Sequence, residues 1–135
     1  GKATHENIKE TKEFGVNICA TDQTVLSNIA GGNSGKIVDK IAILKGLGFK
    51  FCFGKKIKTL MIDGAALNIE CRMIKAIELG DHTMFIGEVV DASRKYNKEP
   101  VAYHKGEYWR LTENIPKPAE KEQEKIKQII EKYKK

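Results

Sequence analysis

Two alternating runs of apolar and polar residues dominate the middle of this chain. From about Ala65 to Leu79, Leu67, Ile69, Cys71 and Met73 fall on one side and Asn68, Glu70, Arg72 and Ile74 on the other. That period of two predicts a long strand. Gly80-Asp81 follows as a turn signal, and His82 to Asp91 then carries Met84, Phe85, Ile86, Val89 and Val90. This apolar, β-branched centre predicts a second strand covered on both faces. The pair reads as a hairpin with His82 at its mouth. Before it, Thr4 is expected to cap a helix over His5–Lys12, with Glu6 in its first turn and Ile8 as anchor. A strand is expected over Phe14–Ala20. Thr21 or Asp22 then caps a short helix over Gln23–Ala30, in which Val25, Leu26 and Ile29 keep helical spacing. The glycine loop Gly31–Gly35 is expected to open a helix over Lys36–Leu44, with Ser34 as its cap. Short strands follow at Phe49–Phe53, Ile57–Ile62 and Val101–Tyr103, and Gly106 turns the chain toward Tyr108-Trp109. After the linker Ile115-Pro116-Lys117-Pro118, residues 119–135 place Ile126, Ile129, Ile130 and Tyr133 on one helical stripe. That helix is too polar to stand alone and is expected to dock on the main fold or on a second subunit.

With 135 residues, the length predicts one domain over residues 1–114 and a linker and helix over 115–135. Charged residues make up 31% and hydrophobic ones 41%, a globular balance. No run is long and apolar enough for a membrane span, so no membrane partner is expected. The net charge is +6, and residues 117–135, with seven Lys and four Glu, hold half of it. Arg occurs only at positions 72, 94 and 110. This distribution argues against a nucleic-acid groove, while a basic surface still suits an anionic nucleotide. Cys19, Cys52 and Cys71 are odd in number, lack C-x-x-C spacing, and lie in apolar contexts. Three reduced core thiols in a cytoplasmic protein, and no metal site, are expected.

Gly31-Gly32-Asn33-Ser34-Gly35-Lys36 is not a Walker A loop. Three residues, not four, separate Gly31 from Gly35, and Ile37 stands where Ser or Thr is needed. A glycine loop can still present N–H groups and Lys36 to an anion, or be an ordinary loop. Gly1–Thr4 leads into a helix start, where backbone N–H groups can also hold an anion. His82 can face a ligand or be a solvated turn residue. Glu70, mid-strand, needs a partner if buried, and Arg72 and Lys75 are the nearest cations in sequence; for Glu88 a solvated face is the competing reading. Tyr103, Tyr108 and Trp109 suit ring stacking, a barrel end or a dimer contact.

Gly80-Asp81-His82-Thr83-Met84-Phe85-Ile86-Gly87-Glu88-Val89 resembles the G-D-H-T-x-x-x-G-E-V signature of the flavin reductase-like family, FMN-binding split β-barrel proteins that include flavoredoxin. Further stretches line up in order. They are Thr4–Thr11 with Phe14-Gly15-Val16-Asn17-Ile18, Ser34-Gly35-Lys36 with Asp39-Lys40, Ala66–Cys71, and Tyr103–Trp109. The resemblance implies a mainly β fold: a split β-barrel with peripheral helices and a C-terminal amphipathic helix. The family's opening strands precede the helix that begins at Thr4, so the barrel is expected to be incomplete at its N-terminus and its edges to need cover from another chain. The resemblance further implies FMN as cofactor, NAD(P)H as co-substrate, hydride transfer to FMN, and a homodimer. By the same carry-over, Lys2, Ala3, Thr4, Asn33, Ser34, Gly35 and Lys36 are cofactor-binding candidates. His82 is the candidate catalytic residue, acting by hydrogen bonding or charge stabilisation. A non-enzymatic FMN electron carrier and an interaction module without flavin are the alternatives.

Overall fold

The computed structural model describes residues 3–134. The chain runs α1 (Ala3–Thr11), β1 (Glu13–Ile18), α2 (Thr24–Gly32), α3 (Lys40–Gly46), β2 (Phe51–Phe53), β3 (Leu60–Ile62), β4 (Leu67–Leu79), β5 (His82–Arg94), β6 (Ala102–His104), β7 (Glu107–Trp109) and α4 (Glu120–Lys132). Three sheets result: an antiparallel β1-β4-β5 sheet and the two-stranded pairs β2-β3 and β6-β7. Helix takes 29% and strand 35% of the described residues. The fold of the described residues is therefore mixed, and their sheets close no barrel, where a mainly β barrel was expected.

The central hairpin is present as the alternation requires. Leu79 pairs with His82 across Gly80-Asp81. Gly80 has φ +60°, at the first central position that a two-residue type II′ turn gives to glycine. Both strands are 13 residues long, so β5 runs past the strand end expected at Asp91, to Arg94. Two register shifts, between Glu70 and Cys71 and between Met73 and Lys75, bend the pair and push Ile74 out to solvent. β5 alternates between half-buried and exposed positions, so it is not covered on both faces.

Two glycines in the sheet leave room for neighbouring side chains, one from β1 of the same sheet and one from β3. On one face a Cβ at Gly87 would stand 2.6 Å from Phe14 Cζ and 3.0 Å from Cys71 Cβ. On the other, a Cβ at Gly15 would collide with Met61 Sδ of β3. Buried apolar side chains come from α2 (Leu26), α3 (Leu44), β3 (Met61), β4 (Cys71) and the segments around Ala20, Ile57, Ala65 and Ala66. Buried Gln23 ties two of these segments together: its Oε1 accepts from Ala20 N at 3.0 Å and its Nε2 donates to Asp63 O at 3.0 Å.

Several boundaries differ from expectation for local reasons. α1 starts at Ala3, which places Thr4 inside the first turn instead of at the cap. α2 has Gln23 at its cap position with no side-chain cap hydrogen bond, so neither Thr21 nor Asp22 caps it. Ser34 heads a turn, accepting Ile37 N and Val38 N at its carbonyl and Lys36 N at its Oγ. Asp39 caps α3 instead, its Oδ1 accepting from Ala42 N at 3.0 Å. Every residue from Trp109 to Lys134 is exposed, α4 included. No described helix is long and apolar enough to cross a membrane.

Candidate functional site

The N-terminal end of α1 is set by its seat on the hairpin tip. His5 Nε2 and Thr83 Oγ1 are 3.0 Å apart, and the imidazole lies tilted on the Phe85 ring at 5.4 Å. One turn on, Lys9 reaches Glu78 at 3.5 Å. So anchored, α1 presents Ala3, Thr4 and Asn7 to the end of α2 and to the loop that follows it. Between them lies an open cleft of about 990 Å³. Ala30 and Gly31 of α2, Asn33–Asp39 of the loop, and Lys40 and Ile41 of α3 complete its lining.

The loop is held in shape from within. Asn33 Nδ2 donates to Ile29 O at 3.0 Å, which folds the end of α2 back on itself. Gly35 passes close to α1: a Cβ there would meet Ala3 Cβ at 3.6 Å. Lys36 crosses from the loop to α1, its Nζ donating to Glu6 Oε1 at 2.9 Å. The hydrogen bond and charge of Lys36 hold the Glu6 carboxyl below the usual carboxylate range. Lys40 Nζ donates to the Ala30 carbonyl at 2.5 Å, so a second ammonium stands on the same wall. The lining supplies two ammonium groups, at Lys36 and Lys40, and the hydroxyl residues Thr4 and Ser34, with Ala3 and Thr4 lying in the first turn of α1. Such a set suits a phosphate or another compact anion. The apolar part of the lining is aliphatic, from Ala30, Ile37, Val38 and Ile41.

Of the sequence candidates, Ala3, Thr4, Asn33, Ser34, Gly35 and Lys36 are brought together in this one cleft. Lys2 lies outside the described residues. His82 stands elsewhere, on the hairpin tip, with its side chain 84% exposed and its Nδ1 2.6 Å from Asp81 Oδ1. It does not line the cleft. Sequence reasoning missed Lys40, which was matched to the family with Asp39 but not named as a cofactor contact. It also missed His5, whose position next to Thr4 was the available signal. Of the cysteines, Cys71 is buried, Cys19 half-buried and Cys52 exposed, so Cys52 is not the core thiol expected. Burial pushes the Cys19 and Cys71 thiols up, away from the reactive thiolate. Tyr103 and Tyr108 pack on each other at 5.3 Å on the β6-β7 hairpin and do not line the cleft.

The helix–sheet arrangement is that of a known class of flavoproteins. The flavoredoxin of Desulfovibrio vulgaris superposes with a TM-score of 0.72 at 24% identity, over 87% of this chain and 68% of that one. The flavin reductase PheA2 does so with a TM-score of 0.65 at 31% identity, over 82% of this chain and 65% of that one. The model of the flavin reductase like domain matches residues 1–112, and the chain belongs to that family. The reductase component of the FADH(2)-dependent resorcinol hydroxylase of a Rhizobium species is 31% identical over 104 residues, 77% of this chain and 54% of that protein. The chain spans about half the length of the curated relatives it matches.

Proposed function

We propose that this chain holds FMN with the phosphate in the cleft between α1 and the Asn33–Lys36 loop, and serves hydride transfer from NAD(P)H to the flavin. The convergence of Ala3, Thr4, Asn33, Ser34, Gly35 and Lys36 on one open cleft carries this reading. Six positions chosen from sequence, from two segments some thirty residues apart, meet around a single anion-sized donor set. Family membership and relatives named as flavin reductases support it.

Bound flavin supplies the redox chemistry, and the protein supplies position and electrostatics. In this reading Lys36 and Lys40 neutralise the phosphate, and the hydroxyls of Thr4 and Ser34 fix its orientation. Lys2, just ahead of α1, is assigned to the same phosphate. His82 is assigned to the nicotinamide or the flavin edge, where an exposed imidazole hydrogen-bonded to Asp81 can donate or carry charge. The working unit is a homodimer of domains spanning residues 1–114, in which a second copy completes what the open sheet lacks.

The test is a titration of the purified chain with FMN, followed by anaerobic addition of NADH or NADPH. Saturable quenching of flavin fluorescence and bleaching of the flavin on turnover are expected. Absence of any quenching would sink the reading. Quenching without turnover would leave an FMN carrier.

A further inference from the structure

The ion pair across the cleft bears on which ligands the cleft admits. Glu6 stands on α1 and Lys36 on the loop opposite, and they meet at 2.9 Å from positions thirty residues apart. Lys36 lines the cleft, so one of the two ammonium groups there is already held by a carboxylate of the protein. Both side chains are about half exposed, at 58% for Glu6 and 48% for Lys36. An exposed pair of this kind is weak and exchanges partners readily. We propose that Glu6 is a resident counter-ion that competes with phosphate for Lys36, and so sets how strongly the cleft prefers phosphate-bearing ligands over neutral ones.

The proposal rests on the reading of the cleft as a phosphate site. A phosphate monoester brings between one and two negative charges at neutral pH and three acceptor oxygens. It draws Lys36 away from Glu6 and leaves that carboxylate beside a second anion. The penalty falls on phosphate alone, because a neutral ligand neither needs Lys36 nor repels Glu6. Glu6 does not itself line the cleft and acts through Lys36, which makes it a positioning residue.

FMN and riboflavin, which differ only in the phosphate, separate the cases. Each is titrated by fluorescence into the full chain carrying no substitution, Glu6→Gln, Glu6→Asp or Lys36→Met, at low ionic strength. The unsubstituted chain should bind FMN more tightly than riboflavin. Glu6→Gln should tighten FMN by about threefold, the scale of one exposed charge pair, and leave riboflavin unchanged. Glu6→Asp, which keeps the charge, should not tighten it. Lys36→Met should weaken FMN and shrink the effect of Glu6→Gln when the two are combined. FMN affinity unchanged or weaker in Glu6→Gln, with discrimination between FMN and riboflavin intact, overturns the role of Glu6 alone. Equal affinity for FMN and riboflavin in the unsubstituted chain overturns the phosphate site and the role of Glu6 together.

Discussion

Glu70 shows how a single side chain can organise a loop. Glu70 is buried on β4, yet its hydrogen bonds among the described residues come from backbone N–H groups and not from a cation. Oε1 accepts from Lys55 N at 2.8 Å, and Oε2 from Lys56 N at 2.7 Å and Ile57 N at 3.1 Å. Burial pushes this carboxyl up, but the three backbone donors outweigh it and the net shift is downward. A pKa lower in the folded than in the unfolded state means that this stabilisation is complete above the unfolded value. It is lost as the pH falls through the folded one. Glu70→Gln should therefore be less stable than the unsubstituted chain by about 2 kcal/mol at neutral pH. The gap should close as the pH falls below about 4. Thermal melts of both proteins from pH 7 to pH 3 would show it, and a gap independent of pH would refute the account. The sequence revealed that a mid-strand carboxylate needed a partner and pointed to Arg72 or Lys75. The actual partners are backbone groups some fourteen residues upstream, which no side-chain pattern encodes. Arg72 turns instead to the Lys56 carbonyl at 3.2 Å. His82 and His5 divide in the same way. His82 was singled out by its signature, whereas His5, clamped between Thr83 and Phe85, depends on a contact 78 residues apart. If His82 serves the nicotinamide, His82→Ala should lower turnover about tenfold or more while FMN affinity holds. His5→Ala should instead loosen α1 and weaken FMN binding. Stopped-flow reduction beside equilibrium titration separates the two, and unchanged turnover in His82→Ala would end that assignment.

Element by element, legibility followed the strength of the local period. The β4-β5 hairpin carries thirteen-residue strands and a glycine turn, and its location was plain. The start of α3 was misplaced because Ser34 and Asp39 both have cap chemistry, and Asp39 is the one whose oxygen reaches a helix N–H. The extent of β5 was underread because its last residues, Ala92, Ser93 and Arg94, at the end away from the hairpin turn, are polar or small. They pair with Ile69, Asn68 and Leu67 all the same. Glycines within the strands were visible as letters, but their reason lies in the side chains that lie over them. Phe14 occupies the space beside Gly87, and an aromatic ring packed on a sheet has little room to retreat. Met61 occupies the space beside Gly15, and an unbranched thioether can swing aside. Gly87→Ala should thus cost about 2 kcal/mol or more, and Gly15→Ala about 1 kcal/mol or less. Urea midpoints of the two variants check the order, and the reverse order would mean that Phe14, not Met61, is the side chain free to shift.

The molecule as a whole leaves apolar surface without a partner. β5 has no neighbour on its outer side among the described residues, and Met84, Ile86 and Val89 along it are exposed. A long strand edge of this kind is ordinarily blunted or covered. α4 is the second such surface. Its apolar stripe of Ile126, Ile129 and Ile130 is open to solvent, and the helix is held by little more than Lys127–Glu124 and Lys134–Glu131 contacts near its own surface. A helix of thirteen residues is marginal alone in water, since nucleation is costly and each such pair adds only a few tenths of a kcal/mol. The amphipathic stripe was legible in the sequence, but the docking expected of it on the main fold is absent among the described residues, where α4 is exposed throughout. What covers it was not legible, because a docking surface is set by the other side of the contact. If a second copy supplies that cover, the order of α4 must depend on protein concentration, because association follows mass action while the hairpin's stability does not. Hydrogen exchange reads this directly. Amides of α4 should exchange quickly in dilute protein and gain at least tenfold protection as the concentration rises through the dimer dissociation constant. Amides of β4 should stay equally protected throughout. Protection of α4 that is high at every dilution would mean that the helix docks within its own chain. Protection that is low at every concentration would mean that no second copy covers α4.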